Sequence, residues 1–165
     1  MKRVLRFHFA MFCGAIFCFA CSSEEELARK AAPIHAAALT VDTHIDWPSR
    51  QLSNPAFAPG ERHEPGEKDS QQWDLIRMKE GGLDAVFMSI FTAQGPRNEE
   101  GHLKAKEHAL KLIAITKKMA ADHPDLAEMA YAAADAERIA QSGKRAIYLG
   151  MENGYPAGLD SSNVK

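Results

Sequence analysis

The chain has 165 residues, of which 45% are hydrophobic and 25% are charged, and its formal net charge is −2 at pH 7. These values suit one soluble globular domain or a large piece of one, so composition alone selects no function. Removing residues 1–20 would take away three of the twenty basic side chains and none of the twenty-two acidic ones, which leaves a net charge of −5. A mildly acidic domain without a basic cluster binds nucleic acid poorly, so we expect no nucleic-acid partner.

The first twenty residues differ from the rest of the chain. Lys2, Arg3 and Arg6 precede a run of twelve residues, 9–20, that contains no charge and is mostly apolar. Such a run is too short to cross a bilayer as a stable helix, whereas a basic start followed by a short apolar stretch is typical of a secretory signal peptide. We therefore predict a signal peptide at residues 1–20 and export from the cytoplasm.

All three cysteines lie in or next to this segment, so the rest of the chain has no pair that could form a disulfide. Cys21 follows Ala20 and precedes two serines and an acidic run, an arrangement that resembles a bacterial lipoprotein cleavage site with Cys21 as the lipid acceptor. We expect a membrane-anchored bacterial lipoprotein that faces the periplasm or the cell exterior. The alternative is a plain secreted protein with a free cysteine near its cleavage site.

Helical and strand-like segments alternate along the remaining chain. The predicted elements are, in chain order, a leading helix at 24–38 that is interrupted near Pro33, a strand at 39–45, a loop at 48–69, a short helix capped by Ser70 and ended by Gly81-Gly82, a strand at 84–92, a long helix at 99–121, a short helix at 135–142 that stops at Gly143, and a strand at 145–151. On the long helix, the residues that we predict to share one apolar face are Leu103, Leu110, Ile113 and Ala114.

The order strand, helix, strand, helix, strand indicates a parallel α/β architecture. We divide the chain into a signal peptide at 1–20, a tether and leading helix at 21–38, and three strand-helix units at 39–165. In parallel α/β folds the catalytic residues gather at the carboxyl ends of the strands. Asp46 and Glu152 follow or end predicted strands, which directs attention to that edge.

Three polar residues alternate with apolar or small ones at the end of the first strand: Asp42, His44 and Asp46. The two-residue period of a strand puts them on one side, so His44 and Asp46 can reach a common point. An imidazole nitrogen and a carboxylate oxygen are suitable ligands for zinc or a similar divalent ion. Asp42 is a candidate to orient a ligand from behind.

Each of these residues also has an ordinary structural interpretation. His-x-Asp alone is a weak motif that also occurs at solvated strand ends. Glu152 ends an apolar strand and could instead pair with Arg145 or Lys144. The remaining histidines after the signal peptide are expected at the solvated surface: His35, His63, His102, His108 and His123.

Three motifs together resemble the membrane (renal) dipeptidase family of zinc metallopeptidases. They are Val-Asp-Thr-His-Ile-Asp at 41–46, Asp-Leu-Ile-Arg-Met-Lys-Glu-Gly-Gly-Leu-Asp-Ala at 74–85, and Gly-Met-Glu-Asn-Gly-Tyr-Pro at 150–156. The resemblance implies a (β/α)8 TIM barrel of the metal-dependent hydrolase type that cleaves dipeptides with two zinc ions at its C-terminal mouth. By the same likeness His44 and Asp46 would bind the first zinc, and Glu152 would bridge both ions.

A barrel of this kind needs about 250 residues. We therefore expect the chain to be the N-terminal part of a longer protein, with activity in the full-length product and further metal ligands after Lys165. The expected partners are a dipeptide substrate, a membrane reached through Cys21, and as an option a second copy in a homodimer. Two alternatives stay open: another amidohydrolase-type barrel hydrolase, and a lipid-anchored binding protein without catalysis.

Overall fold

The computed structural model describes residues 23–66 and 71–163, in two compact units, Met1–Ala38 and Leu39–Lys165. The predicted signal peptide, the predicted lipid acceptor Cys21 and the predicted cap Ser70 lie outside the described residues. Within the part of the chain that is described, no helix combines the length and the apolar character needed to cross a membrane.

The described part of the first unit is one helix, α1, Glu24–Ala37. Ser23 caps it, because the Ser23 hydroxyl oxygen accepts a hydrogen bond from the backbone N–H of Glu26. The predicted interruption near Pro33 was wrong, since the helix continues through this proline. Pro33 removes one backbone donor, but the two alanines before it are the strongest helix formers, which favours a helix that continues past it.

The second unit is a four-stranded sheet with helices between the strands. Its elements are β1 (Val41–Ile45), α2 (Trp47–Ser53), α3 (Leu75–Glu80), β2 (Ala85–Phe91), α4 (Glu99–Asp122), β3 (Ala127–Met129), α5 (Ala133–Gln141), β4 (Arg145–Glu152) and two short 3-10 turns, Tyr155–Ala157 and Ser161–Asn163. The strand order is β1-β2-β4-β3, and every pairing is parallel. The predicted parallel α/β architecture is therefore confirmed.

Two elements were missed in the sequence. The strand β3 has only three residues, Ala-Glu-Met, which is too short for a two-residue period to show. The helix α2 lies mostly in the segment 48–69, for which the richness in proline, glycine and charged residues predicts a loop. Pro48 occupies the first turn of α2, where a helix needs no backbone donor, so this proline is compatible with the start of a helix.

The long helix α4 packs on the sheet through a face different from the predicted one. Leu103 and Leu110 are 56% and 54% exposed, and Ala114 is exposed as well, while Ile113 is only partly buried. The buried residues of α4 include three alanines, which allow the helix to approach the strands closely. The full buried set is Ala105, Ala109, Leu112, Thr116, Met119 and Ala120. The large apolar side chains of Leu103 and Leu110 therefore do not mark the side of α4 that faces the sheet.

Asp74 holds the loop between α2 and α3 in place. Its carboxylate is fully buried and accepts hydrogen bonds from the backbone N–H of Arg77 (2.7 Å), from Arg77 Nε (2.5 Å) and from the backbone N–H of His63 (3.1 Å). His63, expected at the surface, is only partly exposed and stacks on Phe57 with 4.2 Å between ring centroids. Asp74 therefore caps α3 and ties this loop to it.

Burial by itself would raise the pKa of Asp74, but the hydrogen bonds from Arg77 and His63 and the Arg77 charge outweigh it, so the pKa lies below its ordinary value. A carboxyl group whose folded pKa is lowered stabilises the fold fully above its unfolded pKa of about 3.9. That stabilisation is lost as the pH falls from the unfolded-state pKa through the lowered pKa that Asp74 has in the folded state. Acid should therefore weaken this anchor.

Replacing Asp74 by alanine should lower the free energy of unfolding by roughly 3–5 kcal/mol at pH 7, because the change leaves a partly buried guanidinium without its partner. Urea denaturation of the protein and of Asp74→Ala at several pH values measures this difference, which should narrow below about pH 4. The control is Asp125→Asn in an exposed turn, which should change stability little. A difference that stays constant down to pH 2 would contradict the role assigned to the Asp74 carboxylate.

Candidate metal centre

The end of β1 positions His44 and Asp46. The strand pairs with β2 through Asp42↔Val86 and Ile45↔Met88, so three steps along β1 match two along β2 and the register shifts, as at a β-bulge. Asp46 follows the strand as the N-cap residue of α2, with φ −79° and ψ 11°. A bulge and the start of a helix therefore bring His44 and Asp46 together. Strict strand alternation, from which we predicted that the two side chains meet, does not hold at this position.

Asp42 contacts the main chain of His44. Its Oδ1 atom accepts a hydrogen bond of 2.9 Å from the backbone N–H of His44. This contact fixes the backbone at the bulge from which the imidazole projects. Any orienting effect of Asp42 on the ring therefore acts through the backbone conformation of His44.

Glu152 reaches the same point from the end of β4. The distance from His44 Nε2 to Glu152 Oε2 is 3.4 Å, and that from His44 Nε2 to Asp46 Oδ1 is 3.5 Å. One ligand atom from each of the three residues can be chosen so that all lie within 4.8 Å of one another. The three side chains are 52%, 61% and 43% exposed for His44, Asp46 and Glu152, so the group is open to solvent.

This donor set suits a divalent transition-metal ion. Zinc binds imidazole nitrogen and carboxylate oxygen at about 2.0–2.2 Å, and two ligands at that distance in a tetrahedral arrangement are roughly 3.4 Å apart. The two spacings from His44 Nε2 match that value. A metal site needs at least three His, Cys, Asp or Glu side chains whose ligand atoms lie close together. Among residues 23–66 and 71–163, the group that meets this requirement is His44, Asp46 and Glu152.

The salt-bridge alternative for Glu152 is not what the structure shows. Arg145 pairs with Asp84 at 3.1 Å, and Lys144 lies 3.8 Å from Glu128. Both basic residues belong to the opposite, amino-terminal end of β4. Glu152 instead has His44 and Ser89 as its polar neighbours.

Ser89 was not identified from the sequence. It lies in β2, is 3% exposed, and donates a hydrogen bond of 2.6 Å from its Oγ to Glu152 Oε2. The sequence gives little indication of a role for Ser89, because Ser89 is a single hydroxyl residue in the apolar strand Ala-Val-Phe-Met-Ser-Ile-Phe. Only the register between β2 and β4 reveals which residue it faces.

Asn153 was also missed, although it directly follows Glu152. Asn153 has a positive φ of 69°, and among the described residues it is the one residue other than glycine that does. Its Nδ2 donates to the carbonyl oxygen of Thr92 (2.8 Å), and its Oδ1 accepts from the backbone N–H of Tyr155 (3.1 Å). Asn153 therefore connects the carboxyl end of β2 to the turn after β4, immediately beside the candidate ligand.

The other histidines stay away from this group. His102 is partly buried and its Nδ1 lies 3.0 Å from the carbonyl oxygen of Tyr155, so it supports the turn after β4. His123 is partly buried and packs so closely on Gly60 that a Cβ atom there would lie 2.4 Å from the ring. The surface prediction was therefore wrong for both residues. His35 is exposed and His108 is half-buried on α4.

A cleft of about 790 Å³ is lined in part by two of the three candidate ligands. His44 and Asp46 line it together with Arg50 and Arg77 and the buried aromatic pair Trp47 and Trp73, whose ring centroids are 5.7 Å apart. Apolar walls with a few charged groups are common in small-molecule sites. This cleft gives the ligand group space for a small polar molecule.

Comparison with known proteins relates the chain to dipeptidases. The sequence model of the membrane dipeptidase family (peptidase family M19) matches residues 28–165. A dipeptidase of Claviceps purpurea, tcpJ, is 31% identical over 140 residues, which is 81% of this chain and 33% of that protein. A dipeptidase of Aspergillus terreus, ataJ, is 27% identical over 85 residues, which is 49% of this chain and 21% of that protein.

Solved structures show the same fold. The probable dipeptidase PvdM from Pseudomonas aeruginosa matches with a TM-score of 0.69 and 23% identity, over 86% of this chain and 35% of that one. A metallopeptidase from Rhodobacter sphaeroides, liganded with a phosphinate mimic of the dipeptide L-Ala-D-Ala, matches with a TM-score of 0.59 and 22% identity, over 76% of this chain and 41% of that one. The predicted fold class, part of a (β/α)8 barrel, is confirmed, and the chain spans about a third of the length of such relatives.

Replacing Asn153 by alanine should lower the free energy of unfolding by roughly 3–4 kcal/mol. Alanine disfavours the left-handed conformation by about 1–2 kcal/mol, and two hydrogen bonds worth about 1 kcal/mol each are lost. Asn153→Gly loses the same bonds but accepts the conformation, so it should be about 1 kcal/mol less destabilised. Denaturant titration of both variants checks this, and equal losses would contradict a requirement for positive φ.

Proposed function

We propose that this chain, which belongs to the membrane dipeptidase family, supplies His44, Asp46 and Glu152 to the metal centre of a zinc-dependent dipeptidase. The observation that carries the proposal is the convergence of one imidazole and two carboxylates at the carboxyl ends of β1 and β4. Because the chain spans about a third of its curated relative tcpJ, the activity is proposed for the whole protein.

Zinc is the proposed ion because the donor set is mixed. Imidazole nitrogen with carboxylate oxygen suits zinc, whereas calcium and magnesium take oxygen ligands. Glu152 has two carboxylate oxygens, so it could bind two ions. His44 and Asp46 would be the other ligands that this chain gives to the first ion. When bound, such ions polarise a carbonyl group and make water a stronger nucleophile at neutral pH.

The residues of this chain would hold and orient the ions and leave room for the substrate. All three candidate ligands are about half exposed, which agrees with a catalytic site, where positions must stay open for water and substrate. The adjoining cleft offers the cation Arg50, which could attract the free carboxylate of a short peptide. This combination favours a small substrate that is anionic at one end.

A dipeptide is the proposed substrate. The relatives in Claviceps purpurea and Aspergillus terreus are both named dipeptidases, and the Rhodobacter sphaeroides structure holds a mimic of L-Ala-D-Ala. By this likeness we include dipeptides with a D-residue at the carboxyl end. The substrate preference itself is a proposal for the whole protein.

His44→Ala and Glu152→Gln should each lower kcat/KM for glycyl dipeptides by a factor of a thousand or more. The reason is that loss of an ion removes several kcal/mol of transition-state stabilisation, and each 1.36 kcal/mol is about tenfold in rate. Hydrolysis of a dipeptide series by the full-length protein and zinc content by elemental analysis are the two measurements. Both variants should also contain less zinc than the parent.

The matched control is His108→Ala, which removes a half-buried histidine from α4. It should leave zinc content and hydrolysis within about twofold of the parent, since surface changes away from special features have small effects. If the folded parent neither binds zinc nor cleaves dipeptides, a binding protein without catalysis replaces the proposal. If it binds zinc and cleaves other amides instead, another amidohydrolase-type hydrolase replaces it.

We further propose that the protein is exported and anchored to a membrane through a lipid on Cys21. The support is the order of basic start, apolar run, small residue, cysteine and polar spacer in the first 26 residues. A lipid anchor would keep a dipeptidase at the membrane surface. The plain secreted alternative makes the opposite prediction about where the protein is found.

Cys21→Ala should abolish incorporation of labelled fatty acid and should reduce the share of protein in the membrane fraction. Cys13→Ala is the control, because it removes a cysteine from the same segment and should leave labelling unchanged. Expression of both variants in a bacterial host with labelled palmitate, followed by fractionation, makes the comparison. Unlabelled, soluble parent protein would instead support simple secretion.

A further inference from the structure

Ser89 contacts Glu152 in a way that the fold alone does not require. It is the single hydroxyl residue among the seven of β2, and its neighbours Met88 and Ile90 belong to the apolar clusters of the core. Strand alternation turns Ser89 to the opposite face from these two residues. There its Oγ lies 2.6 Å from Glu152 Oε2 although Ser89 is 3% exposed.

The register explains how the two residues meet. Phe91 pairs with Glu152 and Ser89 pairs with Gly150, so Ser89 lies one strand repeat below Glu152 on the same face. Gly150 has no side chain, so nothing projects from the paired position between them. The carboxylate of Glu152 can therefore turn down onto the Ser89 hydroxyl.

The hydrogen bond is short. Its 2.6 Å length lies near the lower end of the range of about 2.5–3.0 Å for hydroxyl donors, which includes hydroxyls that donate to a carboxylate. The acceptor Oε2 is also the oxygen that lies 3.4 Å from His44 Nε2. Ser89 thus holds the oxygen that faces the other candidate ligands.

The bond adds little to the pairing of the strands. The strands β2 and β4 are already paired in register at seven positions, from Ala85↔Ala146 to Phe91↔Glu152. One more contact between them is not needed to set their alignment. The main consequence of the Ser89 hydroxyl is therefore the orientation of the Glu152 carboxylate.

We propose that Ser89 is a positioning residue that fixes the Glu152 carboxylate in its metal-binding orientation before an ion arrives. This inference rests on the proposed function, because it assigns Ser89 a role at the same centre. A carboxylate oxygen can accept from Ser89 and still offer a second lone pair to a cation. Outer partners of this kind typically change metal affinity by 10–100-fold when they are removed.

The test is metal binding by the full-length protein and its Ser89→Ala variant. Zinc affinity is measured by competition with a chromophoric chelator, and the visible spectrum of the cobalt-loaded protein reports ligand geometry. Ser89→Ala should bind zinc about 10–100-fold more weakly and should show a changed cobalt spectrum. Ser89→Thr keeps the hydroxyl and should restore affinity to within about threefold of the parent.

Two further variants separate positioning from general stability. Ser89→Val has the shape of Ser89→Thr without the hydroxyl, so it should lose affinity like Ser89→Ala even if alanine at this position harms folding. Thr116→Val removes another buried hydroxyl, one that donates to the carbonyl oxygen of Leu112 within α4. It should lower stability in urea without changing zinc affinity.

The outcomes distinguish the two proposals. If the parent binds zinc and both Ser89→Ala and Ser89→Val bind it equally well with the parent's cobalt spectrum, Ser89 is only structural and the inference is overturned. If the parent itself binds no zinc, the metal centre of the proposed function fails first. Weaker binding in Ser89→Ala and Ser89→Val, together with rescue by Ser89→Thr, supports the positioning role.

Discussion

Parallel pairing of β1, β2 and β4 is the constraint on which the candidate centre depends. In a parallel sheet all carboxyl ends lie at one edge, so residues far apart in sequence meet there without any direct link between them. His44 and Asp46 come from the end of β1 and Glu152 from the end of β4, with β2 between the two strands. The helices α2 and α4 pack against β2, and the Asp74 carboxylate anchors the loop that returns to α3.

The centre combines exposed ligand tips with a buried foundation. The three candidate ligands are open to solvent, while the residue that holds Glu152 from below, Ser89, is buried. On the far side Asn153 connects the ends of β2 and β4. Preorganisation of this kind lets a site exchange small molecules while its ligand atoms keep their spacing.

The sequence was sufficient for the parallel α/β architecture and for the convergence of His44, Asp46 and Glu152, because strand ends are local patterns. It was insufficient where the outcome depended on partners distant in sequence. Ser89 looked like an ordinary strand residue until the register placed it beside Glu152. The predicted apolar face of α4 contained Leu103 and Leu110, yet the side that packs on the sheet carries three alanines, because small side chains let a helix approach a sheet closely. His44 and Asp46 were paired correctly, but through a bulge that no periodicity predicts.

That bulge affects how the segment can vary between versions of this protein. The extra residue of β1 between Asp42 and Ile45 lets the strand end shift by one position against β2. A one-residue change of register in a strand moves each following side chain to the other face of the sheet. Loss or gain of a single residue here would turn the imidazole of His44 away from Glu152, whereas the exposed Thr43 could change identity with little effect. We therefore expect a change in the length of this segment to disturb the candidate centre more than a substitution at its exposed positions.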